Sequence, residues 1–131
     1  MSGEVNRTEL NSALQRINEI QLWDYEIASL DRGTLLILGS NDFVYYHYLE
    51  AEFSGVSFCD LPPTFSHAEF HLLKVDGETA TIHVFAESME TLRTEFEIRA
   101  ASVEIRIGKA YYYERENLQP GERIVGKARR D

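Results

Sequence analysis

The sequence predicts an α+β domain in which one N-terminal helix packs on a curved, mostly antiparallel sheet of about seven or eight strands. Two observations predict this class. A helical stripe of apolar residues is confined to the first twenty positions, and an alternation of apolar and polar residues dominates the chain from residue 22 onward. A sandwich or an open barrel satisfies the same pattern, so the arrangement of the strands stays open.

The helix is predicted at residues 6–20. Asn6 and Glu9 have the spacing of a capping box, with Asn in place of the usual Ser or Thr. A helix of this length does not bury an apolar stripe alone, and it must therefore pack on the sheet. The stripe consists of Leu10, Ala13, Leu14, Ile17 and Ile20.

The first hairpin is predicted to turn at residues 31–33. A three-residue loop there puts Gly33 in the left-handed region, as in a type I turn followed by a bulge. This loop sets Ile27 opposite Ile37 and Ala28 opposite Leu36, which matches apolar to apolar.

Two later connections are predicted from the same alternation. Between residues 43 and 61 we expect one bent strand with a bulge at Ser54–Gly55, and a tight turn is the alternative. Further on, a hairpin through residues 99–102 sets Ile98 opposite Val103.

The stretch HAEFHLLKVDGETATIHVF, residues 67–85, is predicted to be a histidine-rich hairpin. A two-residue turn at Asp76–Gly77 mixes polar and apolar side chains on both faces. A three-residue loop at residues 75–77 instead sets Phe70 opposite Ile82 and gives one apolar face, so we prefer it. The predicted core residues of this hairpin are Phe70, Leu72, Ile82 and Val84.

In that register, Glu69, His71 and His83 share the outer face, with Glu69 opposite His83. Opposed Cβ atoms lie about 5 Å apart, so a Glu–His acid–base pair or a three-ligand metal site is within reach. His67 lies about 13 Å from His71 along an extended strand and does not reach the same ion. A solvated polar face explains the same residues, and we expect no bound metal and no cofactor.

Tyrosine is concentrated in two runs, at residues 45–48 and 111–113. It is enriched at protein interfaces because it combines apolar area with a polar tip. Strand alternation sends Tyr46 and Tyr48 to the face opposite Tyr45, so we expect no single face to collect the whole set. The candidate interface residues are Tyr45, Tyr46, Tyr48, Tyr111, Tyr112 and Tyr113.

The chain of 131 residues has a net charge of −9. We expect one globular domain at residues 1–113 and a polar tail at residues 114–131 that is either frayed or docked. The domain carries 18 Asp and Glu against 8 Lys and Arg. Such a body repels phosphate backbones, which argues against a nucleic-acid partner, and it attracts cationic proteins.

The sequence predicts a cytoplasmic protein that does not enter the membrane. The first twenty residues lack the pattern of a signal peptide, and no apolar run reaches the roughly 18 residues of a membrane span. Cys59 is the only cysteine, and we expect an inert, buried thiol. No glycine-rich phosphate loop, G-x-S-x-G or H-E-x-x-H motif is present, which favours a protein that is not an enzyme.

Two phrases together resemble a known kind of protein: Leu22-Trp23-Asp24-Tyr25-Glu26-Ile27, and Phe53-Ser54-Gly55-Val56-Ser57-Phe58 running to Leu61-Pro62. They are similar to small, acidic, uncharacterised bacterial proteins, among them immunity proteins of contact-dependent and polymorphic toxin systems. The resemblance covers roughly residues 22–62. It implies a protein that binds and blocks a toxin, with no catalysis and no cofactor, and it transfers no site residues.

Two functions follow from the sequence as hypotheses. The first is a non-catalytic interaction protein, of which an immunity-type inhibitor binding a cationic protein is one form, with a homo-oligomer as another partner arrangement. The second is a protein that binds a small ligand, or an enzyme, in a cavity of the curved sheet. Its polar groups would be Glu69, His71 and His83, or the run at residues 45–48.

Overall fold

The structure is a computed structural model that describes residues 5–89, 93–114 and 116–125. Within these ranges there is one helix, α1 (Arg7–Ile20), and nine strands belong to one sheet in the order β4-β7-β6-β5-β1-β2-β3-β8-β9. The strands are β1 (Asp24–Asp31), β2 (Thr34–Ser40), β3 (Tyr46–Ser54), β4 (Phe58–Cys59), β5 (Thr64–Asp76), β6 (Thr79–Glu87), β7 (Glu95–Ala100), β8 (Ser102–Tyr111) and β9 (Arg123–Ile124). Paired strands are antiparallel except β8 and β9. The predicted α+β class is confirmed. The count of nine strands exceeds the predicted seven or eight because it includes two strands of only two residues, β4 and β9.

Helix α1 forms where the sequence predicts it. The side chain of Asn6 accepts a hydrogen bond from the N–H of Glu9 (3.0 Å), and the helix ends at Gln21 in the left-handed region. The amide of Asn18 bonds both the N–H and the C=O of Phe70, each at 2.8 Å, which fixes the helix against β5. Three members of the predicted stripe are buried: Leu10, Leu14 and Ile17.

The sheet curls until its two ends meet. In the sheet, β7 and β8 are separated by six inter-strand steps, about 29 Å if the sheet were flat. Only Ala101 lies between them in the chain, and one residue spans no more than about 7 Å. The N–H of Ala101 donates to the C=O of Ser54 (2.8 Å), and the N–H of Ser57 donates to the C=O of Arg99 (2.9 Å). These bonds join the segment containing β3 and β4 to the segment containing β7 and β8.

The predicted hairpin through residues 99–102 is wrong. β7 and β8 do not pair with each other but continue as one bent segment. Ile98 pairs with Ile82 of β6, whereas Val103 pairs with Phe53 of β3. Residues 99–102 read Arg-Ala-Ala-Ser, which contains no Gly, Asn, Asp or Pro to favour a tight turn.

The expected single strand between residues 43 and 61 is divided into β3 and β4, which pair in succession with β8 and β7. The division falls at Gly55, whose φ is +65°. A Cβ atom at this position would lie 2.8 Å from the Cβ of Ala101. Glycine therefore allows the two long segments to cross closely where the sheet bends.

The first hairpin has a shorter turn than predicted. Arg32 and Gly33 form a two-residue turn with φ values of 54° and 76°. The extra residue lies inside β1 instead, where Ala28 forms a bulge. Leu36 therefore pairs with Ser29 and not with Ala28.

The histidine-rich hairpin differs from its prediction in the same way. Its two-residue turn begins at Gly77 (φ 65°), and the extra residue is Leu73, a bulge in β5. Phe70 therefore pairs with Val84 and not with Ile82. The predicted core is nevertheless correct, because Phe70, Ile82 and Val84 are buried and Leu72 is partly buried against the same cluster.

Part of the predicted tail lies along the sheet. Residues 123–124 pair with residues 110–111 of β8, and the N–H of Val125 donates to the C=O of Tyr111 (2.8 Å). Residues 115 and 126–131 of that segment lie outside the described ranges.

Candidate binding surface

The outer face of β5 and β6 carries the predicted histidine site in a different register. His71 lies opposite His83, and Glu69 lies opposite Phe85 rather than His83. The turn at residues 77–78 and the bulge at Leu73 together move the partner of each of these β5 residues by two positions, so their side chains stay on the predicted face. The ring of Phe85 contacts both histidines, with centroid separations of 5.8 Å and 6.3 Å. An aromatic side chain therefore lies opposite Glu69, where the prediction placed His83.

Each histidine on this side of the sheet contacts its own carboxylate. The pairs are His71 with Glu69 (3.3 Å), His83 with Glu95 (2.7 Å) and His67 with Glu87 (3.1 Å). The candidates Glu69, His71 and His83 therefore do not converge on one point. In the part of the chain that the structure describes, no group of three or more His, Cys, Asp or Glu side chains could hold a metal ion.

Three adjoining hollows run beside these pairs, and together we call them the acidic groove. Their volumes are about 490, 300 and 320 Å³. Glu87 lines the first and the second, and His67 and Glu69 line the second and the third. No described Lys or Arg lines any of the three. The carboxylates of the groove are Asp24, Glu26, Glu69 and Glu87.

Exposed apolar side chains flank the acidic groove. Trp23 lines the third hollow, is 64% exposed and lies 5.7 Å from His67, measured between ring centroids. Phe85 lines the second hollow and is 44% exposed. The partly buried Phe43 and the fully exposed Met89 line the first. The groove therefore combines negative charge with apolar contact area.

The floor of the first hollow is rigid and partly acidic. Tyr25 is buried and stacks on Phe65 with ring centroids 5.4 Å apart. Burial raises the pKa of Tyr25 to about 12, so its phenol stays protonated at neutral pH. The neighbouring Glu26 is only 6% exposed, which places a carboxylate at the base of the hollow.

The tyrosine runs meet at the far end of β3 and β8. Tyr45 contacts Tyr113, Tyr113 contacts Tyr111, and Tyr111 contacts Tyr46, with centroid separations between 5.7 and 5.9 Å. These four side chains therefore form one cluster, although the whole set does not share one face. Tyr48 packs against the core instead.

Tyr112, the remaining candidate, belongs to a polar network that is partly buried. Its hydroxyl lies 2.7 Å from Nδ1 of His47, and Nε2 of His47 lies 2.7 Å from Glu50 Oε2. Glu50 also accepts hydrogen bonds from Nε of Arg106 (2.8 Å) and from Arg123 of β9. We call these five side chains the His47 network.

The electrostatics of the His47 network favour a charged Glu50. Burial pushes the pKa of Glu50 upward, but hydrogen bonds from Arg106 and His47 and the charge of Arg123 outweigh it, so the pKa falls below its ordinary value. The hydrogen bond to Glu50 in turn raises the pKa of Arg106. His47 is 4% exposed and both of its ring nitrogens are engaged. A substrate therefore cannot reach it, and the network holds β3, β8 and β9 together.

Sequence reasoning missed the acidic groove and the His47 network for different reasons. Trp23 alternates with Tyr25 and Ile27, a pattern that normally marks the core, yet it is 64% exposed. Phe85 lies on the same face as His83, and the wrong register hid its position opposite Glu69. Bonded members of the network are up to 73 residues apart in the chain, and no spacing rule connects Glu50 to Arg123.

Comparison of the chain with protein-family models, with curated proteins and with solved structures found no match. Within the described residues, no helix has the length and apolar character needed to cross a membrane.

Proposed function

We propose that this chain is a non-catalytic binding protein whose acidic groove receives a basic segment of a cationic protein, as an immunity-type inhibitor acting in the bacterial cytoplasm would. One observation carries the proposal: four carboxylates and no described Lys or Arg line three adjoining hollows that exposed aromatic side chains flank. The resemblance of residues 22–62 to immunity proteins supports the same class.

The chemistry of the acidic groove suits arginine and lysine side chains. A guanidinium group forms paired hydrogen bonds with carboxylates and stacks on aromatic faces, and both kinds of group are present in the groove. Trp23 and Phe85 resemble the aromatic anchors that supply most of the binding energy in protein interfaces. The net charge of −9 would also speed the encounter with a cationic partner.

A labelled deca-arginine peptide tests the chemistry directly. We expect saturable binding at physiological salt that weakens at least tenfold in the double variant Glu69→Gln/Glu87→Gln, because two carboxylates of the groove are lost. The matched control, Glu78→Gln/Glu114→Gln, makes the same change in net charge at exposed positions away from the groove. If both variants lost peptide affinity equally, the interaction would depend on net charge alone, and the proposal would be overturned.

The immunity-type role is tested with the product of the gene adjacent to this one. We expect that product to be a cationic toxin, growth arrest when it is expressed alone, and rescue when this chain is expressed with it. Rescue should fail with Trp23→Ala and with the groove double variant but persist with the control double variant. Rescue that is indifferent to the groove would contradict this role even if peptide binding is observed.

A second candidate, a small-ligand binder, is favoured by one hollow of about 330 Å³ beside the end of α1. Tyr46, Tyr48 and Lys109 line it together with Ile20 and Leu22, so aromatic, apolar and cationic groups converge there. This volume is at the small end of ligand sites. A panel of small aromatic carboxylates should raise Tm in the natural chain and not in Lys109→Met if this reading is correct.

A further inference from the structure

Among the strands that the structure describes, none neighbours the edge of β8 that faces away from β3 over most of its length. β8 pairs with β3 on one side, and on the other side β9 pairs only at residues 110–111. Among the described strands none pairs with this edge between Ser102 and Ile107. A strand edge of this kind presents unpaired main-chain N–H and C=O groups to any extended segment that approaches it.

The exposure of the inner side chains agrees with a missing neighbour. Val103 and Ile105 pack against the core cluster but are only partly buried. Their partners on β3, Phe53 and Ala51, are 0% and 1% exposed. An additional strand beside β8 would cover the apolar surface that remains open.

The sequence of this edge is complementary to itself. Around Ile105 it reads Val-Glu-Ile-Arg-Ile, with an apolar residue on both sides of each charged one. If two copies pair antiparallel about a two-fold axis at Ile105, Val103 lies opposite Ile107 of the partner subunit. Glu104 then lies opposite Arg106 of the partner subunit, and the symmetry repeats both pairs.

We propose that the protein forms a homodimer in which the β8 edges of two copies pair antiparallel about Ile105. Charge complementarity selects a second copy as the occupant, since Glu104 gains Arg106 of the partner subunit and the inner apolar residues match. Arg106 also bonds Glu50 (2.8 Å) and Glu52 (3.3 Å) of its own chain, so Glu104 is the residue that gains an ion pair. Glu104 and Arg106 are exposed, so both are accessible to an approaching chain. The proposal is independent of the acidic groove.

The structure also limits how far this pairing extends. A bulge at residues 108–109, where β8 has one more residue than β3, follows Ile107 directly. Gly108 has a φ of 142°, and a Cβ there would lie 2.4 Å from the C=O oxygen of Gly121. The paired segment is therefore about five residues on each chain, which predicts a reversible, concentration-dependent dimer.

Light scattering and sedimentation of the full chain at concentrations up to about 1 mM test the dimer. We expect the mass to rise toward two chains with concentration. Glu104→Arg places an arginine opposite Arg106 of the partner subunit twice, so the dimer Kd should rise about tenfold or more. The control Glu78→Arg makes the same charge change in the β5–β6 turn and should leave the Kd unaltered. A monomer over the whole range, or equal effects of both variants, would overturn the proposal.

Disulfide trapping tests the register and does not require a stable dimer. In a Cys59→Ser background, Ile105→Cys puts two thiols opposite each other at the symmetry axis, and oxidation should give a covalent dimer. Val103→Cys places the two thiols about 13 Å apart in this register and should not cross-link. Cross-linking of both variants to the same extent would mean random collision, and cross-linking of neither would exclude the pairing.

Discussion

The molecule uses histidine and glutamate together in two regions that have opposite surroundings. In the His47 network the imidazole is 4% exposed, both ring nitrogens are engaged, and Glu50 is shared with two arginines. On the outer face of β5 and β6, by contrast, the ring of His71 is about half exposed and contacts one carboxylate at 3.3 Å. The same pair of side chains is structural in the first region, whereas in the second it is available to a partner.

The difference teaches that the chemistry of a His–Glu pair is decided by what surrounds it. Buried polar groups stabilise a fold only when every donor and acceptor has a partner, because an unmet one costs its full desolvation energy. Exposed pairs contribute little to stability, and another protein can readily displace the water around them. The predictions below test this contrast, beginning with the largest expected effect.

The largest effect should come from the residue beside His71. Phe70→Ala should lower the free energy of unfolding by about 3–5 kcal/mol, because Phe70 is 1% exposed and its removal leaves a cavity. Phe85→Ala, on the outer face of the same hairpin, should cost about 1 kcal/mol or less. Urea unfolding measures both. Equal losses would mean that Phe85 also belongs to the core.

Removal of Glu50 should be the next largest effect. Glu50→Ala leaves His47, Arg106 and Arg123 without their shared carboxylate, and we expect a loss of about 3 kcal/mol. The control Glu52→Ala removes a more exposed carboxylate that contacts Arg106 at 3.3 Å, and it should cost about 0.5 kcal/mol. If Glu52→Ala cost as much as Glu50→Ala, the network would have no special role.

The pH dependence of stability sharpens the same point. Because the folded-state pKa of Glu50 is lowered, its contribution is fully present above the pKa of the unfolded chain and is lost as pH falls through the folded pKa. The stability difference between the natural chain and Glu50→Gln should therefore be largest at neutral pH and shrink in the acid range. Unfolding curves between about pH 7 and pH 3 measure this difference. A gap that widens on acidification would contradict the lowered pKa.

Histidine substitutions compare the two regions directly. His47→Ala should cost about 2 kcal/mol, since it removes two hydrogen bonds in a buried setting. His71→Ala and His83→Ala should each stay within about 0.5 kcal/mol, the usual range for surface positions. Thermal and urea unfolding of the three variants provide the measurement. A ranking in which His83→Ala exceeds His47→Ala would reverse the comparison.

Zinc should have the smallest effect. A metal that binds the folded chain raises Tm by mass action, and the ligand candidates on the outer face do not converge. We therefore expect no change in Tm with added zinc, for the natural chain and for His83→Ala alike. A rise that disappears in His83→Ala would establish a metal site and favour the enzyme hypothesis.

Sequence reasoning identified the helix and the core because both depend on local patterns. Asn6 caps the helix as its spacing predicts, and Phe70 and Val84 are buried as alternation predicts. The pair of Ile27 and Ile37 is present as predicted, but other pairs were wrong because two hairpins place their extra residue inside a strand, at Ala28 and Leu73, and not in the turn. The alternation of apolar and polar residues up to that point is the same whether the extra residue lies in the turn or in a strand bulge. The pattern alone therefore does not distinguish the two arrangements.

The candidate site was less predictable than the fold because it depends on contacts between distant segments. Glu69 and His71 were correctly placed on the outer face, yet their partners were not, since a shift of two residues in the pairing replaced His83 with Phe85 opposite Glu69. The tyrosine cluster forms because β3 and β8 pair across more than fifty residues of chain. Strand periodicity contains no information about which strands become neighbours.

The bent segment formed by β7 and β8 contains the last two long strands to be synthesised. Until it is synthesised, β3 and β6 each lack one neighbour, and a growing chain that has reached only β6 exposes two adhesive edges at once. The contacts that remove both edges link residues far apart in sequence, which makes folding slow compared with helical proteins of the same length. The late-synthesised segment thus covers the exposed edges of β3 and β6. A chain truncated before it should accumulate as aggregate rather than as a smaller folded domain.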